Sequence, residues 1–289
     1  MIPRSLGGLV AVLLSLGACK SERSNLTSTA ASQPPAAAPA AAANPVTFTA
    51  TDYKFSGPSQ IPAGLTVFSL HNQGKELHHL VIVRLDQGRT LDSLLAALKH
   101  PGPPPAWLHF VGGPNATEPG SESNSTTVLQ PGHYAVLCFI PTAAGVPHVA
   151  KGMVGGLEVT PATTPEATAA PADIIIKLND YSFDLSAPLT AGKHTIRVQN
   201  DGPQTHEVVL AQFLPGKSLK DLEAWEKGGE KGPLPAKFLG GVSPLDKGES
   251  GQFTLTVEPG DYSLLCFLPD AKDGKPHLMH GMVKPLKVS

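Results

Sequence analysis

Beyond the first twenty residues the chain has two cysteines, Cys138 and Cys266, and each begins the same series of metal-binding side chains. His148 and Met153 follow Cys138; His277 and Met282 follow Cys266, the Met standing five residues after the His in both cases. Upstream, His78 and His206 occupy matching places. One thiolate, two imidazoles and a thioether are the donors of a tight copper electron-transfer site, because soft sulfur favours Cu(I) while imidazole holds Cu(II). Each residue has a plainer reading on its own. A lone buried Cys is a small hydrophobe, a lone Met is core, and two thiols in an oxidising compartment pair as a disulfide. Packing alone does not account for four donor types recurring twice in register across loops of different length and composition. His79 adjoins His78, but the recurrence sets His206 opposite His78, and alternation along a strand turns His79 to the other face. His71, His100, His109, His133, His194 and His280 have no counterparts and read as surface residues.

These donors lie in a sequence that is written twice at an offset of 128. Asp52-Tyr53-x-Phe55 recurs as Asp180-Tyr181-x-Phe183, Asn72-x-Gly74 as Asn200-x-Gly202, and Leu137-Cys138-Phe139-x-Pro141 as Leu265-Cys266-Phe267-x-Pro269. One extra residue in the second copy moves the remainder to 129, so His148 meets His277 and Gly152-Met153-Val154 meets Gly281-Met282-Val283. Short alternating apolar runs between Pro-Gly and Asn-Gly turns predict antiparallel strands in a sandwich. One stretch per copy breaks the alternation. Leu91, Leu94, Leu95 and Leu98 follow helical spacing behind Thr90, and Ser218-x-x-Asp221 forms a capping box ahead of Leu222 and Trp225. The expected fold is all-β: two tandem Greek-key β-sandwiches, each with one short inserted helix, at 45–160 and 172–289. A Thr-, Ala- and Pro-rich linker at 161–171 joins them.

With these residues in view the sequence resembles the cupredoxins, the blue copper proteins, over about 115 residues of each copy. In that family the first His follows an Asn-x-Gly type turn, and Cys, His and Met come from the loop joining the last two strands. The resemblance implies a mononuclear type 1 copper site in each copy, from His78, Cys138, His148 and Met153 and from His206, Cys266, His277 and Met282. It implies that the downstream His lies near the surface, where its neighbours dock a redox partner protein. One departure concerns the residue after the first His. Commonly Asn in plastocyanin-like members, where it steadies the thiolate loop, it is His79 or Glu207 here. Copper nitrite reductases and multicopper oxidases share a two-domain layout, but a His directly precedes their ligand Cys, or His-x-His pairs supply further copper. Here Leu137 and Leu265 precede the cysteines and no His-x-His occurs. The expectation is therefore an electron carrier that is not an enzyme. A copper-binding or delivery protein is the alternative, disfavoured because only four Met occur in the chain.

At the N-terminus, Arg4 precedes a short apolar run from Leu6 to Leu16 and then Leu16-Gly17-Ala18-Cys19. The run is too short for a membrane span and has the layout of an export signal. The four residues ending in Cys19 resemble the lipobox of bacterial lipoproteins, which implies a signal peptide at 1–18 and lipidation of Cys19. Residues 19–44 offer almost nothing to bury and read as a disordered tether of roughly 25–30 Å. The folded part is then expected outside the cytoplasm, held to a bacterial membrane by its lipid, on the periplasmic side. A formal charge of -2 gives no electrostatic basis for binding nucleic acid. With 29 Gly, 29 Pro and 16% charged residues, long helical bundles are excluded.

Overall fold

The computed structural model describes residues 42–100, 102–162, 167–228 and 233–289. The expected signal segment, Cys19 and nearly all of the tether lie outside these residues. The first copy forms β1 (Asn44–Thr51), β2 (Lys54–Ser56), β3 (Gln60–Pro62), β4 (Gly64–Asn72), β5 (Val81–Leu85), α1 (Leu91–Ala97), β6 (Leu108–Phe110), β7 (Glu122–Leu129), β8 (Gly132–Leu137) and β9 (Val154–Thr160). The second forms β10 (Ile174–Asn179), β11 (Ser182–Leu185), β12 (Gly192–Asn200), β13 (His206–Phe213), α2 (Leu219–Lys227), β14 (Ala236–Leu245), β15 (Ser250–Val257), β16 (Gly260–Leu265) and β17 (Val283–Val288).

Alternation decides which face of each strand is covered. Along β1 the side chains of Val46, Phe48 and Ala50 are buried while Thr47 and Thr51 are exposed. β5 and β13 are apolar on both faces, because one face lines the sandwich core and the other is covered as well: Val81, Val83 and Leu85 meet α1 through Leu94, and Val209 and Ala211 meet α2 through Leu222. Both helices start where their caps predict. The Thr90 hydroxyl accepts the Ser93 N–H while the Ser93 hydroxyl accepts the Thr90 N–H. The Asp221 carboxylate accepts the Ser218 N–H.

The outer sheets match copy for copy, in the order β6-β5-β8-β9-β3 and β14-β13-β16-β17. The inner sheets, β2-β1-β4-β7 and β11-β10-β12-β15, join edge to edge through β7 and β15 into one of eight strands. Between the cysteine strand and the strand after the metal loop, Leu137 pairs with Val154 and Leu265 with Val283, so that loop leaves and re-enters one antiparallel ladder.

The contact between copies is isologous within a single chain. Phe110 N–H donates to Asp246 at 2.9 Å, and its repeat mate Phe238 donates to Glu118 at 3.0 Å. Gly112 N–H donates to the Pro244 carbonyl, and Gly240 N–H to that of Ala116. Bridges at Val111 with Leu245 and Thr117 with Leu239 are likewise mates, and the bridge between Pro114 and Val242 joins two equivalent positions. Such reciprocity is the mark of a two-fold axis. It needs glycine at Gly113 and Gly241, at φ 118° and 132°, where an added Cβ would lie 2.0 Å from the carbonyl oxygens of Leu80 and Val208.

Candidate metal centres

Both upstream histidines are positioned by an asparagine at the end of a strand. The Asn72 carboxamide accepts the Gly74 N–H and donates to the carbonyls of Glu76 and Thr117, which fixes the loop from β4 into His78. Asn200 does the same through Gly202, Gln204 and Leu245. Glycine is required in this turn because a Cβ on Gly74 would lie 2.6 Å from His78 Nε2, and one on Gly202 2.9 Å from His206 Nε2.

The thiolate loop is held from within. Val149 N–H donates to the Cys138 carbonyl and Met153 N–H to that of His148, across a 3-10 turn (His148–Lys151) that ends on Gly152 at φ 99°. Leu278 N–H donates to the Cys266 carbonyl and Met282 N–H to that of His277, across the turn His277–His280 that ends on Gly281 at φ 95°.

The result is two triangles of donors. His148 Nδ1 lies 3.2 Å from His78 Nδ1 and 3.5 Å from Cys138 Sγ, and Cys138 Sγ lies 3.9 Å from His78 Nδ1. In the second copy His277 Nδ1 lies 3.0 Å from His206 Nδ1 and 3.4 Å from Cys266 Sγ. A point about 2 Å from all three atoms of the first triangle exists, which is the length of a metal–imidazole bond. All six side chains are fully buried. Burial, together with the facing imidazole, lowers the pKa of His78 and of His277 to about 4. Desolvation pushes the Cys138 thiol up to about 12 and raises Cys266 as well. Neutral rings present their lone pairs to a cation, and each thiol gives up its proton when a metal replaces it. The structure thus gathers His78, Cys138 and His148 in one group and His206, Cys266 and His277 in another. Met153 and Met282 are fully buried in the same core clusters as Cys138 and Cys266. Both cysteines are free thiols.

The outer ring nitrogens differ between copies. His148 Nε2 meets Glu76 at 2.7 Å, while His78 Nε2 has no hydrogen-bond partner. In the second copy the upstream ring is the one held, His206 Nε2 meeting Asp180 at 2.9 Å, and His277 Nε2 is without a partner. A carboxylate on Nε2–H fixes the tautomer that leaves Nδ1 free for metal.

Two residues that the sequence shows as a repeat, without a role, belong to the site. Tyr53 and Tyr181 adopt left-handed φ of 63° and 64° and set their rings edge-on against His148 and His277, at 5.1 and 5.6 Å. An aromatic residue held there is strained, and such strain collects at functional sites. Each downstream His is itself fully buried, with a tyrosine ring set against it. His79 points away from the metal group, as alternation requires, and its Nε2 accepts the Phe139 N–H at 2.8 Å. Glu207 accepts the Phe267 N–H at 3.2 Å. His79 and Glu207 therefore tie down the thiolate loops where the resemblance expects Asn.

The sequence matches no protein-family model, and no curated protein matches it. Solved structures that resemble it include reduced auracyanin from Roseiflexus castenholzii, 22% identical over 42% of this chain and 100% of that one, with a TM-score of 0.30. Across both copies it is similar to a copper nitrite reductase from Nitrosomonas europaea, 13% identical over 86% of this chain and 94% of that one, TM-score 0.26. A blue copper oxidase from the same organism is 14% identical over 86% of each chain, TM-score 0.24. These matches correct the expectation that the chain is not an enzyme, since the structures matching both copies are titled oxidases, laccases and nitrite reductases. The leucines before Cys138 and Cys266 speak only to the extra copper of those enzymes and exclude no other chemistry. Sandwich order, the Asn-x-Gly turn before the first His, and Cys, His and Met on the loop between the last two strands agree with a cupredoxin-like fold, and each His-Cys-His group could hold a metal ion.

Proposed function

We propose that each copy holds one mononuclear type 1 copper ion, bound by His78, Cys138 and His148 with Met153 and by His206, Cys266 and His277 with Met282, and that the chain exchanges single electrons with a redox partner protein. The observation that carries this reading is the buried His-Cys-His triangle backed by a buried Met, present twice. Copper in such a set changes between Cu(I) and Cu(II). The protein's share is to keep the donors still while that happens. Asn72 and Asn200 fix the upstream loops, Glu76 locks His148 and Asp180 locks His206, and the Tyr53 and Tyr181 rings cover His148 and His277. Full burial of every donor favours retaining the metal over handing it on, since delivery needs an open ligand sphere. The lipobox-like sequence ending in Cys19 supports placing this carrier outside the cytoplasm, on a membrane through an N-terminal lipid. Nothing in its charge favours nucleic acid.

Reconstitution with Cu(II) tests the reading. Two copper ions per chain and an intense visible thiolate-to-copper band are expected, with Cys138→Ser and Cys266→Ser each removing one ion. A colourless reconstituted protein overturns it.

A further inference from the structure

Between the two centres lies a chain of buried polar groups that neither site needs for its own closure. The backbone N–H of His79 faces the Cys138 sulfur, and that of Glu207 the Cys266 sulfur. The side chains of the same two residues take the N–H groups of Phe139 and Phe267. Each residue therefore grips its thiolate loop twice. Asn115 stands between them: its Nδ2 donates to Glu207 at 3.0 Å and to the carbonyls of Val208 and Val242 at 3.1 Å, and its side chain lies against the His79 ring. Asn115, His79 and Glu207 are all buried. Asn115 belongs to the first copy and Glu207 to the second. Its repeat mate is Ser243, whose hydroxyl instead donates to the Pro114 carbonyl, so the two-fold symmetry is broken here.

We propose that Asn115 is a positioning residue that couples the two copper sites, so that filling one changes the affinity of the other. The inference rests on the reading that both donor sets take copper. Its physical basis is geometric. When the Cys138 sulfur is drawn onto a metal, the N–H groups that grip it and the His79 side chain must move with it, and Asn115 transmits that displacement to Glu207 and the Cys266 loop. In a buried site no water can take up the slack. Thermodynamic coupling of this kind is reciprocal.

The test is binding of Cu(I) alone to the metal-free chain under anaerobic competition with a chelator of known affinity, in the wild-type, Cys138→Ser and Cys266→Ser proteins. The product of the two wild-type binding constants is expected to differ by about fivefold or more from the product of the constants of the two single-site proteins. Asn115→Leu should bring that ratio to within about twofold. Glu207→Gln is the second variant, of the same size: one of its two acceptor oxygens becomes a donor facing a donor, which breaks the bridge without emptying the space. Two ions binding independently in wild type, or coupling that survives both substitutions, overturns the proposal. A wild-type chain that takes one ion overturns the two-site reading beneath it, a result distinct from two independent ions.

Discussion

At the scale of single residues, the two sites share ligand types and differ in what holds them. Glu76 secures the downstream imidazole of the first site, and Asp180 the upstream imidazole of the second. Outer-shell partners of this kind contribute about 10–100-fold to metal affinity. Glu76→Gln should weaken copper binding by about that factor in a chain carrying Cys266→Ser, and Asp180→Asn should do so in a chain carrying Cys138→Ser. Competition titrations of these single-site chains would register the losses. Acid should weaken the metal-free fold. Burial holds His78 and His277 near 4 and His79 near 3, whereas an unfolded His titrates near 6.5. Between those values the unfolded chain binds more protons, so stability falls as pH drops from about 6.5 to about 4. Glu207 runs the other way. Burial raises it to about 7, and its contribution is lost as pH rises from about 4.5 to 7. Three rings outweigh one carboxyl, so thermal unfolding of the metal-free protein should move to lower temperature from pH 6.5 to 4.5, and more steeply in Glu207→Gln.

At the scale of elements, the sequence makes the strands, both helices and the two His-Cys-His groups readable because they depend on local periodicity, caps and a repeat that can be aligned by eye. What it hides depends on conformation or on long-range contact. Tyr53 is visible as part of Asp-Tyr-x-Phe, yet its role follows from a left-handed turn that aims it at a histidine far along the chain. Asn115 is hidden more deeply, since comparison of the copies sets it opposite a serine. The glycines separate two kinds of constraint. At Gly152 an added Cβ meets nothing within 4 Å, so Gly152→Ala should cost only the left-handed backbone, about 1–2 kcal/mol, while disturbing Met153 beside it. At Gly113 the same methyl group would strike a carbonyl, and Gly113→Ala should cost considerably more. Urea unfolding of the two variants should rank them in that order, and the visible band of the first copper site should change in Gly152→Ala.

At the scale of the molecule, the sequence leads one to expect two units on a linker, and the contact between them comes only from the structure. Residues from Ala40 to Ser289 form one compact unit. The seam is made from both kinds of contact that stabilise a permanent interface. Val111, Val242 and Leu245 bury apolar surface there, and Asn124 exchanges hydrogen bonds with Thr254 on either side of the shared sheet edge, donating to its carbonyl at 2.8 Å and accepting its N–H at 2.9 Å. Separating the copies would expose these apolar groups and leave the edges of β7 and β15 unpaired, which is costly for strands whose other edges are already in a sheet. The covalent connection is therefore not what holds the copies together. A protease site replacing the exposed Pro161 and Ala162 should be cleavable without separating the halves: the cut protein should elute at the size of the intact chain and unfold in one calorimetric transition. Elution as two smaller species would mean that the connection, and not the seam, keeps the two copies together.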